Sequence, residues 1–392
     1  MKKIILSLSA LWLSVSVWGQ DPYAPVLEQI EQNSTTLRAL QESMKAQKLS
    51  NKTGLTPENP EVEFGYLWGS PTGIGNRQDV NVSQSFDFPT VYAHKNKLSD
   101  LQNNSVEYEY KSQRMELLLS AKTTCIELVY YNGLHDLYSR LLDNARQIAE
   151  SYEKMQATGD ANRLDYNKAM INYTNMENEI KRIAIERNRL LSELTVLNGG
   201  IPVSFDTKEF GTPALPPDFE SWYTAAEEGN PALQYLKSQV EVSNKQVQLS
   251  RSSNLPKFSI GYAGEFLAEE KFQGVAVGMS IPLWENKNQV KQAKAAAIAS
   301  QQMEQDAKMQ YYNRLKSLYE QSSQLQENIA RYNTVLNQNN NEELLFKAYN
   351  SGELSLLDYL LEIEYFFDAY DNRLQAERDL ELALASLNAY QL

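Results

Sequence analysis

Few residues in this chain could do chemistry. Cys125 is the sole cysteine, and His94 and His135 stand apart with no His-Glu-x-x-His pattern. Neither catalytic nor structural zinc finds its ligand set in such a sequence. There is no Gly-x-Ser-x-Gly elbow and no phosphate loop, and the methionines are scattered. That removes the common hydrolase and nucleotide motifs and a thioether site for copper(I). The reading is of a non-enzyme without a cofactor or resident metal. What remains is a pair of acids in twin settings. Asp165 lies in Arg163-Leu164-Asp165-Tyr166, shortly after Gly159, and Asp358 lies in Leu356-Leu357-Asp358-Tyr359, shortly after Gly352. A carboxylate in the first turn of a helix is favoured by the helix dipole.

The elements that position these acids come in two copies. Pro89 and Pro282 stand 193 residues apart, as do Gly159 and Gly352. Upstream, Phe64-Gly65-Tyr66 matches Ile260-Gly261-Tyr262 at an offset of 196, the extra residues falling in hairpin loops, where length is tolerated. Such self-similarity is the signature of internal duplication. Each copy reads as a helix, a β-hairpin and a long helical hairpin. The boundaries are 20–197, with its hairpin at 60–89 and helical hairpin at 90–197, and 231–392, with its hairpin at 256–282 and helical hairpin at 283–392. The Pro- and Gly-rich stretch 198–230 links them, with a short helix expected near 220–228. The opening helix spans about Pro25 to Leu49, and long helices run from Tyr92 to Gly159, from about Arg163 to Leu197, and from Pro282 to about Tyr349. Between Leu134 and Met155 apolar residues recur in alternating steps of four and three, the period of a coiled-coil seam. At 1.5 Å per residue the first long helix is a rod of roughly 100 Å.

Within the hairpins the period changes to two. Val62, Phe64, Tyr66 and Trp68, then Phe86 and Phe88, then Phe258, Ile260 and Tyr262, then Val275 and Val277 fall on one face. Glu61, Glu63, Ser83, Ser85, Asp87, Lys257, Ser259 and Glu265 fall on the other. An apolar face ending in aromatics suits lipid, and the polar face suits a water-filled lumen. Four strands of about ten residues are long enough to span a bilayer when tilted, but too few to close a barrel. Chains must therefore pool them.

Composition agrees with export and length. Residues 1–19 read as a secretory signal peptide, with Lys2 and Lys3 before an apolar run too short to span comfortably. The formal net charge is −13 and mean hydropathy −0.51, which argues against a nucleic-acid partner. The fold class expected is α+β, mostly α.

At the strand–proline joints Phe88-Pro89 and Ile281-Pro282-Leu283, and at the tips Tyr152…Gly159…Leu164-Asp165-Tyr166 and Tyr349…Gly352…Leu357-Asp358-Tyr359, the chain resembles the TolC-like outer-membrane efflux channels. The likeness covers nearly all of the chain from about Pro25, and its length is most similar to the CusC/CzcC-like branch. It implies a homotrimer with a twelve-stranded β-barrel in the outer membrane and an α-helical tunnel through the periplasm. The 198–230 stretch would form an equatorial belt. It implies a periplasmic adaptor and an inner-membrane pump, of the resistance-nodulation-division type, that selects and drives the substrate. Carried over by position, Asp165, Tyr349 and Asp358 would constrict the periplasmic entrance, where a ring of carboxylates attracts cations. Gly159, Asp160, Gly352, Glu353 and Ser355 would meet the adaptor. The chain departs from some members at Leu354 and Leu361, where a basic residue and a second carboxylate stand elsewhere. Two other readings stay open: a secreted coiled-coil structural protein whose hairpins pack on its own helices, and the exit duct of a type I protein secretion system.

Overall fold

The computed structural model describes residues 21–392 apart from 212–213 and 339–340; the expected signal peptide lies outside the described residues. Among the described residues the α-helices are α1 (Ala24–Asn33), α2 (Thr35–Ser50), α3 (Pro89–Thr158), α4 (Arg163–Leu197), α5 (Phe219–Gly229), α6 (Pro231–Ser252), α7 (Gln289–Gln338), α8 (Asn341–Asn350) and α9 (Leu356–Leu387). The strands are β1 (Glu61–Leu67), β2 (Arg77–Phe86), β3 (Lys257–Phe266) and β4 (Lys271–Ser280). Helices dominate, as the composition implies.

The 70-residue α3 is the spine. Near the sheet it packs along α6, and towards the far tip along α4, while α7 packs on α6 and then on α9. Local chemistry sets most helix ends. Pro89 and Pro231 occupy first turns, where a missing N–H costs nothing. Asn162 accepts a bond from the Asp165 N–H at 2.9 Å and so opens α4. Gly159 ends α3 in the left-handed region at φ 86°, a conformation that disfavours any residue with a Cβ.

Apolar clusters hold the rods together, among them one that joins α3, α4 and α9 through Tyr130, Leu134, Ile183 and Leu374. At the waist, Ile30, Leu118, Ala121, Cys125, Ile126, Leu128, Val129 and Leu194 meet Val203 and Phe205 of the linking stretch. Buried Asn132 secures that stretch by donating to the Phe205 and Thr207 carbonyls at 3.2 and 3.0 Å, while accepting from Arg187 Nε at 2.7 Å. On the other side of the waist, Phe219 and Tyr223 of α5 pack with Tyr311, Leu315 and Leu384. Towards the tips, Leu137, Leu141 and Ile148 meet Ala169, Leu356, Tyr359 and Ile363. The linking stretch is therefore anchored on both sides of its undescribed residues, by Val203 and Phe205 before them and by Phe219 and Tyr223 after them.

Two boundaries differ from expectation. The first helix breaks at Ser34, whose hydroxyl accepts the Leu37 N–H and starts α2. The long helix after Pro282 starts only at Gln289, because residues 284–289 form tight turns (Lys287 N–H to Trp284 O, Gln289 N–H to Asn286 O) and Asn288 sits at φ 69°. α7 is described to Gln338 and α8 from Asn341 to Asn350, so the described residues are helical up to the expected end near Tyr349.

Candidate functional site: a bare sheet and two helical tips

The two hairpins join into one antiparallel sheet in the order β1-β2-β3-β4. Register fixes its faces. Val62 pairs with Val82, Val82 with Tyr262 and Tyr262 with Val275; Phe86 pairs with Phe258, Phe258 with Met279, and Ile260 with Val277. These residues share one face, since side chains alternate along a strand. Glu63, Asn81, Ala263 and Gly274 form a row across the other.

Among the described residues no element covers the apolar face. Phe64 is 65% exposed, Val275 75% and Val277 79%, so hairpins packed on their own helices are ruled out. Phe88 departs from the expected set: it lies past the end of β2, caps α3 and rests half-buried against Phe258, with ring centroids 6.3 Å apart. Trp68 likewise follows the end of β1, edge-on to Tyr66 at 5.5 Å. Both strands at the margins, β1 and β4, have one unpaired edge.

At the opposite end of the molecule the two helical hairpins turn with near-identical hydrogen bonding. Asp160 N–H reaches Met155 O at 2.8 Å, and Glu353 N–H reaches Ala348 O at 2.9 Å. Gly159 and Gly352 both hold positive φ and have open space where a Cβ would stand. The acids that follow are tied into helix starts. Asn162 Nδ2 donates to Asp165 Oδ2 at 2.6 Å, and Ser355 Oγ donates to Asp358 Oδ2 at 2.6 Å while accepting the Asp358 N–H at 3.2 Å. Lys168 stands 3.3 Å from Asp165. This is capping geometry; Asp358 keeps an exposed side chain beside its cap.

A groove of about 520 Å³ runs between the tips, lined by Tyr152, Met155, Asp165, Tyr349, Gly352 and Ser355 among others. It unites Asp165 and Tyr349 with two of the tip residues. Gly159, Asp160, Glu353 and Asp358 lie outside its wall. Tyr349 stacks on Tyr359 at 5.1 Å, and its phenol is held neutral by burial and by the Tyr152 hydroxyl. Burial likewise pushes the Tyr359 phenol up to about 12. No separate signal in the sequence marks Tyr152 as a member of this groove, although it stands in the motif that flanks Gly159; Tyr359 lies behind the wall, against Tyr349.

Among the described residues no helix is long and apolar enough to cross a membrane, and no cluster of His, Cys, Asp or Glu could hold a metal ion.

No protein-family model and no curated relative matches the sequence. Solved structures do match in fold. The Campylobacter jejuni CmeC outer membrane channel superposes with a TM-score of 0.75 and 16% identity, over 94% of this chain and 85% of that one. The outer membrane protein VceC of Vibrio cholerae gives 0.75 and 14%, over 94% and 95%. CusC gives 0.67 and 16%, over 94% and 91%. The fold is that of the TolC-like outer-membrane channels. The likeness is spread across these channels and does not concentrate on CusC.

Proposed function

We propose that this chain is one subunit of an outer-membrane efflux channel. Three copies pool their sheets into a twelve-stranded barrel, and their helices close a tunnel that reaches into the periplasm. The channel passively conducts small toxic compounds or metal cations. A periplasmic adaptor and an inner-membrane pump of the resistance-nodulation-division type deliver them. Within each copy, 20–197 and 231–392 are the repeats, 198–230 the equatorial belt and 1–19 the export signal.

One observation carries this reading: a four-stranded sheet that is apolar and bare on one face, polar on the other, and open at both edges. In lipid an open edge leaves backbone groups unpaired at several kcal/mol each, whereas barrels need at least about eight strands. Pairing β4 of one copy with β1 of the next removes every edge. The apolar face then meets lipid, and Glu61, Glu63, Asp79 and Glu265 line water. At the far end the tips carrying Gly159, Asp160, Gly352, Glu353 and Ser355 are exposed and meet the adaptor, and Asp165, Tyr349 and Asp358 form the entrance.

Single-channel recording of purified protein in a planar bilayer tests both ends of this reading. Wild-type protein gives discrete conductance steps that divalent cations block. Asp358→Asn removes the charge and weakens that block, whereas Ser355→Ala removes only the cap and preserves it. Absence of steps from a verified oligomer would sink the channel reading. Equal block in wild type and Asp358→Asn would reduce Asp358 to a helix cap.

A further inference from the structure

The two repeats enter their long helices differently. In the first, Phe88 leads straight into α3 at Pro89, and the nearby cation Lys95 is neutralised by Asp87 at 2.9 Å. In the second, residues 281–288 intervene between β4 and α7. That non-helical segment exposes apolar side chains: Ile281 is 57% exposed, Leu283 73% and Trp284 77%. Ile281 continues the alternation of Val275, Val277 and Met279, so the segment prolongs the bare apolar face at the helical end of the sheet. Next come Lys287, Lys291 and Lys294, all exposed and in no ion pair among the described residues. The neighbouring carboxylate, Glu285, lies 4.0 Å from Lys257 on the polar side of the sheet. Lys291 and Lys294 occupy the side of α7 away from buried Ala293.

We infer that this segment and the start of α7 form a lipid-headgroup site: Ile281, Leu283 and Trp284 enter the periplasmic leaflet, and Lys287, Lys291 and Lys294 bind the phosphates of anionic glycerophospholipids. The inference rests on the channel reading, which puts the helical end of the sheet at that leaflet. Depth agrees. The three lysines span about 10 Å along the chain axis, comparable to the headgroup layer of roughly 5–8 Å flanking a 30 Å core. The residue types agree as well, because indole rings settle at the interface and lysines beside them reach headgroup phosphates. Exposed apolar side chains are unfavourable on a surface facing only water, and unpaired lysines are costly to bury against another copy, whereas an anionic leaflet accommodates both. The first repeat has no such site: it is helical from Pro89, Lys95 is paired with Asp87, and Lys97 has no run of exposed apolar side chains beside it.

Reconstitution in nanodiscs of equal phosphatidylglycerol and phosphatidylcholine tests this directly. After mild detergent stripping, native mass spectrometry of wild type retains phosphatidylglycerol several-fold over phosphatidylcholine. The variant K287Q/K291Q/K294Q loses at least threefold of that preference with unchanged conductance. Brominated phosphatidylglycerol quenches a share of the tryptophan emission that W284F abolishes. Equal lipid retention by the two proteins, or quenching unaltered in W284F, overturns the inference while leaving the channel intact; the second result would mean that another copy covers Trp284. Failure of wild type to insert at all overturns the channel reading, and this site with it.

Discussion

Glu381 is the buried acid that a sequence reading passes over. Flanked by Leu380 and Leu382 on α9, it looks like an ordinary charge on a helix, yet it is only 9% exposed. Its surroundings are assembled from distant segments: Tyr23 and Asp21 from before α1, Lys122 and Cys125 from α3. Lys122 is already engaged, 2.8 Å from Asp21, and Tyr23, 2% exposed, has a hydroxyl with no hydrogen-bond partner among the described residues. Burial pushes the Glu381 carboxyl up to about 7; Asp21 adds to the rise and Lys122 opposes it. A carboxyl whose folded pKa is raised binds more protons in the native state than in the unfolded one. Its contribution is therefore fully present below the ordinary value of 4.5 and is lost as pH rises through about 7. Thermal unfolding of the detergent-purified protein should show the waist losing stability between pH 5 and pH 8. Glu381→Gln flattens this dependence and gains on the order of 2–3 kcal/mol at pH 8. An unchanged pH slope in the variant would assign the dependence to another group. By contrast, Asp165 and Asp358 were legible as helix-start acids, because their partners Asn162 and Ser355 stand only three residues away.

Among the elements, the sheet was the most legible because alternation over ten residues leaves only two faces to choose between. Adjacent residues of β2 test that assignment. Val82 belongs to the bare apolar face, between Val62 and Tyr262, and Asn81 to the polar face, between Glu63 and Ala263. Val82→Arg should abolish membrane insertion, since arginine on the lipid face of a barrel costs about 2–4 kcal/mol near the midplane in each copy. Asn81→Arg should insert and shift conductance or ion selectivity. Heat-modifiable gel migration and bilayer recording read the two effects, and similar behaviour of both variants would refute the face assignment. Helix ends were legible where the cap is local, as at Gly159, Asn162 and Pro231. They were not where the apolar period runs through the break. Ile30 and Leu37 keep helical spacing across Ser34, which nevertheless starts a new helix. At 281–288 the duplication itself misled: Pro282 occupies the place of Pro89, but the turns at Trp284–Gln289 and the bond from Asn286 Nδ2 to Ser253 O at 2.6 Å hold the chain out of helix for another turn and a half.

For the whole molecule the sheet edges set the argument. One chain supplies β1 of seven residues and β4 of ten, each with an unpaired side. Closure requires β4 of one copy to meet β1 of the next, the same joint repeated around the axis, which is a ring-forming contact. Two copies would supply eight strands and three would supply twelve, the count proposed above. Cysteine pairs distinguish these counts on a clean background, because Cys125 is wholly buried and burial pushes its thiol up to about 12, leaving it inert to oxidants at neutral pH. Glu63 lies on the polar face, as do Phe272, Gly274 and Ala276 of β4, so Glu63→Cys combined in turn with Phe272→Cys, Gly274→Cys or Ala276→Cys samples successive registers on one face. A disulfide needs Cα atoms within about 7 Å, so one register should bond strongly and its neighbours weakly. Under mild oxidation in membranes the matched pair should yield dimer and trimer bands on a denaturing gel that collapse to monomer with reductant. Val275→Cys, facing the opposite side, should not bond with Glu63→Cys. A ladder ending at the dimer would establish eight strands and overturn the trimer, and monomer alone in all three registers would remove the barrel.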